Sequence, residues 1–152
     1  MNTFILFTLT LILSVFSQTI QIADPADGAS VQSGQNMNVM LEFPNSLTGM
    51  THVSVVISLL DCPDLNKGQC VQQNATDSLG KTLFAGNYTP QFHEQDRPPY
   101  QNFTVAIPQG QQPPNLLLTV AHFMLVGASA SPILEFKNVS LVGTAASAKF
   151  RL

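Results

Sequence analysis

The chain has 152 residues, enough for one domain with a buried core, and only 10% of them are charged, against roughly 25% in an average globular protein. Its net charge is −3, with 6 Lys and Arg in total. Binding to nucleic acid or to an anionic membrane needs clustered basic side chains, and none cluster here, so neither is expected.

From Phe4 to Phe16 there is no charged side chain. Val15 and Ser17 are small residues at the −3 and −1 positions of a cut before Gln18, so residues 1–17 read as a signal peptide. No Lys or Arg precedes the apolar run, a departure from the usual pattern. The run is shorter than the roughly 20 residues that a membrane span needs, and no later stretch is long enough. The C-terminus, Lys149-Phe150-Arg151-Leu152, is not the apolar tail of a glycolipid-anchor signal. The expected mature protein is secreted, extracellular and unanchored.

Beyond Gln18, short apolar runs alternate with Gly, Pro and Asn, the pattern of an all-β chain. Ile20 and Ile22 share one face of a first short strand, and Asp24 to Gly28 form a turn. Ser33-Gly34 breaks the chain again. Met37, Val39, Leu41 and Phe43 then alternate with polar residues, which predicts a strand with one buried face. The clearest strand places Val53, Val55, Ile57 and Leu59 inward and His52, Ser54 and Ser58 outward. Leu79 to Phe84 is a shorter strand, expected at an edge. Asn87 to Pro99 holds three prolines and reads as a long loop. Phe103, Val105 and Ile107 alternate with Asn102, Thr104 and Ala106, so Asn102 faces outward. Leu116 to Val126 is apolar on both faces, as a covered central strand would be; a buried helix is the alternative. In Ile133–Val142 the apolar phase changes midway, and a β-bulge near Lys137 would reconcile the halves. The expected fold is an immunoglobulin-like antiparallel β-sandwich of about seven strands, spanning 18–143, with a flexible tail at 144–152.

Cys62 and Cys70 bracket a loop of turn-forming residues, and in an oxidising compartment such a pair reads as a disulfide. Four Asn-x-Ser/Thr sequons mark candidate glycosylation sites at Asn74, Asn87, Asn102 and Asn138. Pro90 follows the Asn87 sequon directly and weakens it. At least two sequons are expected to carry glycans.

Catalytic signatures are missing. There is no G-x-S-x-G elbow, no Gly-rich phosphate loop and no pair of His at metal-ligand spacing. Of the three His, His52 is expected on an outward strand face, at the surface or an edge, and His122 in the core with a hydrogen-bond partner. His93, Glu94, Asp96 and Arg97 cluster in the proline-rich loop; a metal site is conceivable there, but a solvated loop held by ion pairs is the plainer reading. An oxidative copper site needs an N-terminal His, whereas the expected N-terminus is Gln18. No catalytic residue, metal or cofactor is expected. There is no Trp, and the two Tyr, Tyr88 and Tyr100, lie around the proline-rich loop with Phe92 nearby, so the loop from Gln91 to Tyr100 is the candidate contact surface. Its residues are Phe92, His93, Glu94, Asp96, Arg97 and Tyr100.

Several segments carry a family likeness. They are Asn45-Ser46-Leu47-Thr48-Gly49, Pro90-Gln91-Phe92-His93-Glu94, Pro98 to Val105, Ala121-His122-Phe123 and Gly127-Ala128-Ser129, with a closing strand around Asn138. Together they resemble the necrosis-inducing secreted protein family of fungal effectors, over nearly all of the mature chain. The resemblance implies a secreted, non-enzymatic effector that suppresses plant pattern-triggered immunity by binding immune receptor-associated kinases. Meeting a cytosolic kinase domain would require entry into host cells. The alternative reading is a fungal cell-wall or glycan-binding β-sandwich, and a hydrolase or metal enzyme built on His93, Glu94 and Asp96 is the third.

Overall fold

The computed structural model describes residues 19–45, 48–62, 77–110 and 115–144. The signal-peptide reading, Cys70, Asn74 and the tail beyond Thr144 lie outside the described residues.

Among the described residues eight strands form two sheets, one more strand than expected. They are β1 (Gln21–Asp24), β2 (Ala29–Gln32), β3 (Asn36–Glu42), β4 (Met50–Cys62), β5 (Lys81–Gly86), β6 (Tyr100–Ala106), β7 (Asn115–Val126) and β8 (Ser131–Thr144). The smaller sheet has the order β1-β3-β6 and the larger β2-β8-β7-β4-β5. The additional strand is β2, four residues with only Val31 buried, too short to show a period. It pairs with β8 in parallel, so the fold is not purely antiparallel. β1 meets β8 and β5 meets β6, which brings the two sheets together along both sides.

The alternation in the sequence explains the core. Val39, Leu41 and Phe43 from β3 and its end, with Phe103, Val105 and Ile107 from β6 and its end, face Val55, Ile57 and Leu59 of β4 and Leu116, Leu118 and Val120 of β7. Burying each aliphatic side chain contributes about 1.5–3 kcal/mol. As expected, β7 is the central strand: Leu117, Thr119 and Ala121, on its other face, are also buried. β5 lies at an edge, and Asn102 is exposed.

Two expectations about phase need correction. β8 runs opposite β7 from Ser131 to Val142 with no bulge at Lys137. The apparent phase change has a different cause. Leu134 and Phe136 point to the outer face of the large sheet, while the inward position between them holds the polar Glu135. A bulge does occur in β4. There His52 lies opposite Met124, Ser54 opposite Phe123 and Val55 opposite His122, which leaves Val53 without a partner on β7. One extra residue reverses the side-chain alternation. Val53 is therefore exposed, and His52 shares the inner face with Val55 and His122. β8 continues through Thr144, whose hydroxyl donates to the Val31 carbonyl.

Candidate functional site

The loop from Gln91 to Tyr100 is closed at its base and braced along its length. Gln91 and Tyr100 exchange backbone hydrogen bonds of 3.1 and 2.9 Å. The Phe43 amide donates to the Pro99 carbonyl at 3.0 Å, which ties the loop to the end of β3. Tyr100 sits at the start of β6 on the outer face of the small sheet, yet is only 8% exposed, because the loop folds over it. The His93 ring stacks on it at 4.3 Å, and the Arg97 guanidinium lies 5.9 Å from its ring centre. The Tyr100 hydroxyl donates to Glu94 Oε1 at 3.3 Å. Desolvation, then the Glu94 carboxylate, raises the pKa of that hydroxyl. Arg97 Nε pairs with Glu42 Oε1 at 3.3 Å. At this exposure the pair adds little stability, on the order of 0–1 kcal/mol, but it fixes where the loop lies.

The six residues singled out in the sequence therefore fall into two groups. His93, Glu94, Arg97 and Tyr100 hold the loop together. Phe92 is 63% exposed, the most exposed large hydrophobic side chain among the described residues, and Asp96 is exposed beside the turn. Asn87, Asn102 and Asn138 are all exposed. Cys62 is buried at the end of β4.

A second constellation lies inside the sandwich. His122 Nδ1 is 2.8 Å from Glu135 Oε1, and His122 Nε2 is 3.1 Å from His52 Nδ1. A carboxylate can only accept, so His122 donates its Nδ1 proton to Glu135. With both rings neutral, His52 then donates from Nδ1 to His122 Nε2. The Ile20 amide donates to the same Glu135 oxygen at 2.9 Å. The chain Glu135–His122–His52 thus joins β8, β7 and β4, and it anchors the residue before β1. Aromatic rings enclose it: Phe43 at 4.7 Å and Tyr88 at 5.1 Å from His52, and Tyr88 at 5.2 Å from His122. Burial, followed by the nearby His122, lowers the pKa of His52 to about 4. Burial pushes the Tyr88 hydroxyl well above the ordinary tyrosine range, and it donates to the Leu41 carbonyl at 3.1 Å.

The core placement of His122 matches the expectation from sequence. The surface placement of His52 does not, because the Val53 bulge turns it inward. Glu135 was missed altogether. The available signal was a lone carboxylate in the apolar run Ile133–Phe136 together with a core His in need of a partner.

Chemically, Glu–His–His is a proton-relay arrangement. No described Ser, Thr or Cys is hydrogen-bonded to its His52 end, and the Tyr88 hydroxyl is committed to the backbone. Among the described residues, no group of three or more His, Cys, Asp and Glu is placed to hold a metal ion. The two sites together define a small two-sheet β protein with a polar core network and a braced loop that presents an aromatic side chain.

The chain belongs to the Nis1 family, the necrosis-inducing secreted protein 1 family, whose model matches residues 16–142. That is a family of secreted effectors, and membership is consistent with an effector-type role. No curated protein matches the chain. Among solved structures, the superoxide reductase (neelaredoxin) from Ignicoccus hospitalis is similar at 12% identity and a TM-score of 0.41, over 81% of this chain and 80% of that one.

Proposed function

We propose that this protein is a secreted, non-enzymatic effector that binds a host protein through the Gln91–Tyr100 loop and suppresses plant pattern-triggered immunity, with immune receptor-associated kinases as its targets. The observation that carries this reading is Phe92, exposed on a loop already held by a backbone bridge, a ring stack and an ion pair. A braced loop loses little entropy on binding, and an exposed aromatic side chain is a common anchor of interface energy. Family membership supports the effector role.

The strand order supports reading the scaffold as immunoglobulin-like. In that reading β1-β3-β6 would correspond to strands A, B and E, and β2-β8-β7-β4-β5 to A′, G, F, C and C′. Such a sandwich holds loops rigidly at its ends, which suits recognition.

The test is a pull-down of residues 18–152 against the kinase domains of plant immune receptor complexes. Specific binding that weakens when residues 92–99 are replaced by a Gly-Ser linker is the expected result. Failure to bind any of these domains, with immune outputs unchanged, would overturn the reading.

A further inference from the structure

The Gln91–Tyr100 loop covers one end of the outer face of the three-stranded sheet, over Tyr100 and against Met40, and leaves Asn38, Asn102 and Thr104 exposed. Asn36, Asn38 and Met40 of β3 and Asn102, Thr104 and Ala106 of β6 form that face, with Asn38 beside Thr104 and Met40 beside Asn102. Where β3 and β6 form this face, its one charged pair, Glu42 with Arg97, stands at the loop end. On β1 the exposed Asp24 lies beside Met40 at the edge of this face, and the centre, around Asn38, Asn102 and Thr104, is a patch of neutral amides and hydroxyls. It matches the hydroxyl and acetamido groups of sugars.

At the centre of this face is the sequon Asn102-Phe103-Thr104. In an extended strand, residues two apart share a face. Thr104 therefore stands beside Asn102 on one side, and Tyr100, capped by the His93 ring, stands on the other. Asn38 Nδ2 donates to Asn102 Oδ1 at 3.3 Å, a bond that takes the amide oxygen and not the Nδ2 used in glycosyl transfer. We propose that Asn102 carries an N-linked glycan, and that the outer face of the small sheet is the bed for its first sugars.

The transfer takes place on the secreted chain before it folds, from a lipid-diphosphate-linked oligosaccharide. Asn102 Nδ2 attacks C1 of the first N-acetylglucosamine. The N–C1 bond forms, the bond from C1 to the phosphate oxygen breaks, Nδ2 gives up one proton and the lipid diphosphate leaves. After folding, Met40 and the rim of the His93–Tyr100 stack offer apolar surface to the sugar ring, and Asn38 and Thr104 offer hydrogen bonds to its substituents. The glycan then shields this face, while Phe92 remains open at the loop.

The test needs no binding partner. The full chain is secreted from yeast, and the peptide holding Asn102 is analysed by mass spectrometry before and after release with peptide-N-glycosidase. The expected result is a glycan on Asn102 that Asn102→Gln and Thr104→Ala both abolish and Thr104→Ser retains. An unmodified Asn102 peptide overturns the proposal. The bed is tested by thermal unfolding. Asn102→Gln should lower the melting temperature of the secreted, glycosylated protein by about 2–4 °C and leave that of refolded bacterial protein unchanged. An equal effect in both proteins overturns the bed.

Discussion

His52 and His122 face each other through a 3.1 Å contact between Nδ1 and Nε2, although 70 residues separate them in the chain. The contact exists because Val53 is bulged out of β4, and it joins two strands of the large sheet to the Glu135 carboxylate on a third.

Stability should fall in acid over a defined window. His52 has a folded pKa of about 4, below the ordinary 6.5, because burial disfavours its charged form. Between these values the unfolded chain binds the extra proton and the folded chain does not. The His52 contribution is therefore complete above pH 6.5, declines as pH falls towards 4, and levels off below, with a total change on the order of 2 kcal/mol once the partial solvent exposure of the ring is allowed for. Urea unfolding at pH 7, 5.5 and 4 measures it. His52→Gln should flatten the profile in this window; an equally steep profile in that variant would assign the effect to other groups.

Glu135→Ala should be among the most damaging single changes in β8. It strips the acceptor from the His122 Nδ1–H and from the Ile20 amide, and both residues are fully buried. Each orphaned donor costs about 1–3 kcal/mol. A loss of about 2–4 kcal/mol in chemical unfolding is expected. Glu135→Gln, which keeps an acceptor oxygen, should cost less.

Phe92→Ala should separate binding from folding. The side chain is mostly in solvent, so the unfolding midpoint should stay within about 0.5 kcal/mol of the parent. Binding to the host target should weaken by about 2 kcal/mol, roughly 30-fold, in a titration calorimeter. Unchanged affinity would move the contact surface away from the loop.

Gly80→Ala tests the approach to β5. Gly80 has φ of +72°, and a Cβ there would stand 2.5 Å from the Leu59 carbonyl oxygen and 2.8 Å from Leu60 Cα, both backbone atoms. Neither the conformation nor the space admits a methyl group. A loss of about 2 kcal/mol or more is expected, with hydrogen exchange rising first along the β4–β5 pair.

Much of this arrangement was legible in the sequence. Strict alternation marked β3 and β6, and a run apolar on both faces marked β7, because a period of two reports which side chains reach the core. The braced loop was legible as a concentration of Pro, aromatic and charged residues. Its internal pairings were not, since Glu42 and Arg97 lie on separate elements. β2 escaped notice because four residues carry no readable period, and because the parallel pairing partner comes from the far end of the chain.

By itself, the sequence determined the β class, the inward faces of most strands and the position of the exposed loop, all of which follow from local spacing and turn chemistry. Only the tertiary structure decided that His52 turns inward, that Glu135 is the acceptor for His122 and that the Ile20 amide shares it. A one-residue bulge reverses every side chain on one side of it. Whether a bulge is present depends on pairing with a strand some seventy positions away, and local alternation carries no record of that pairing.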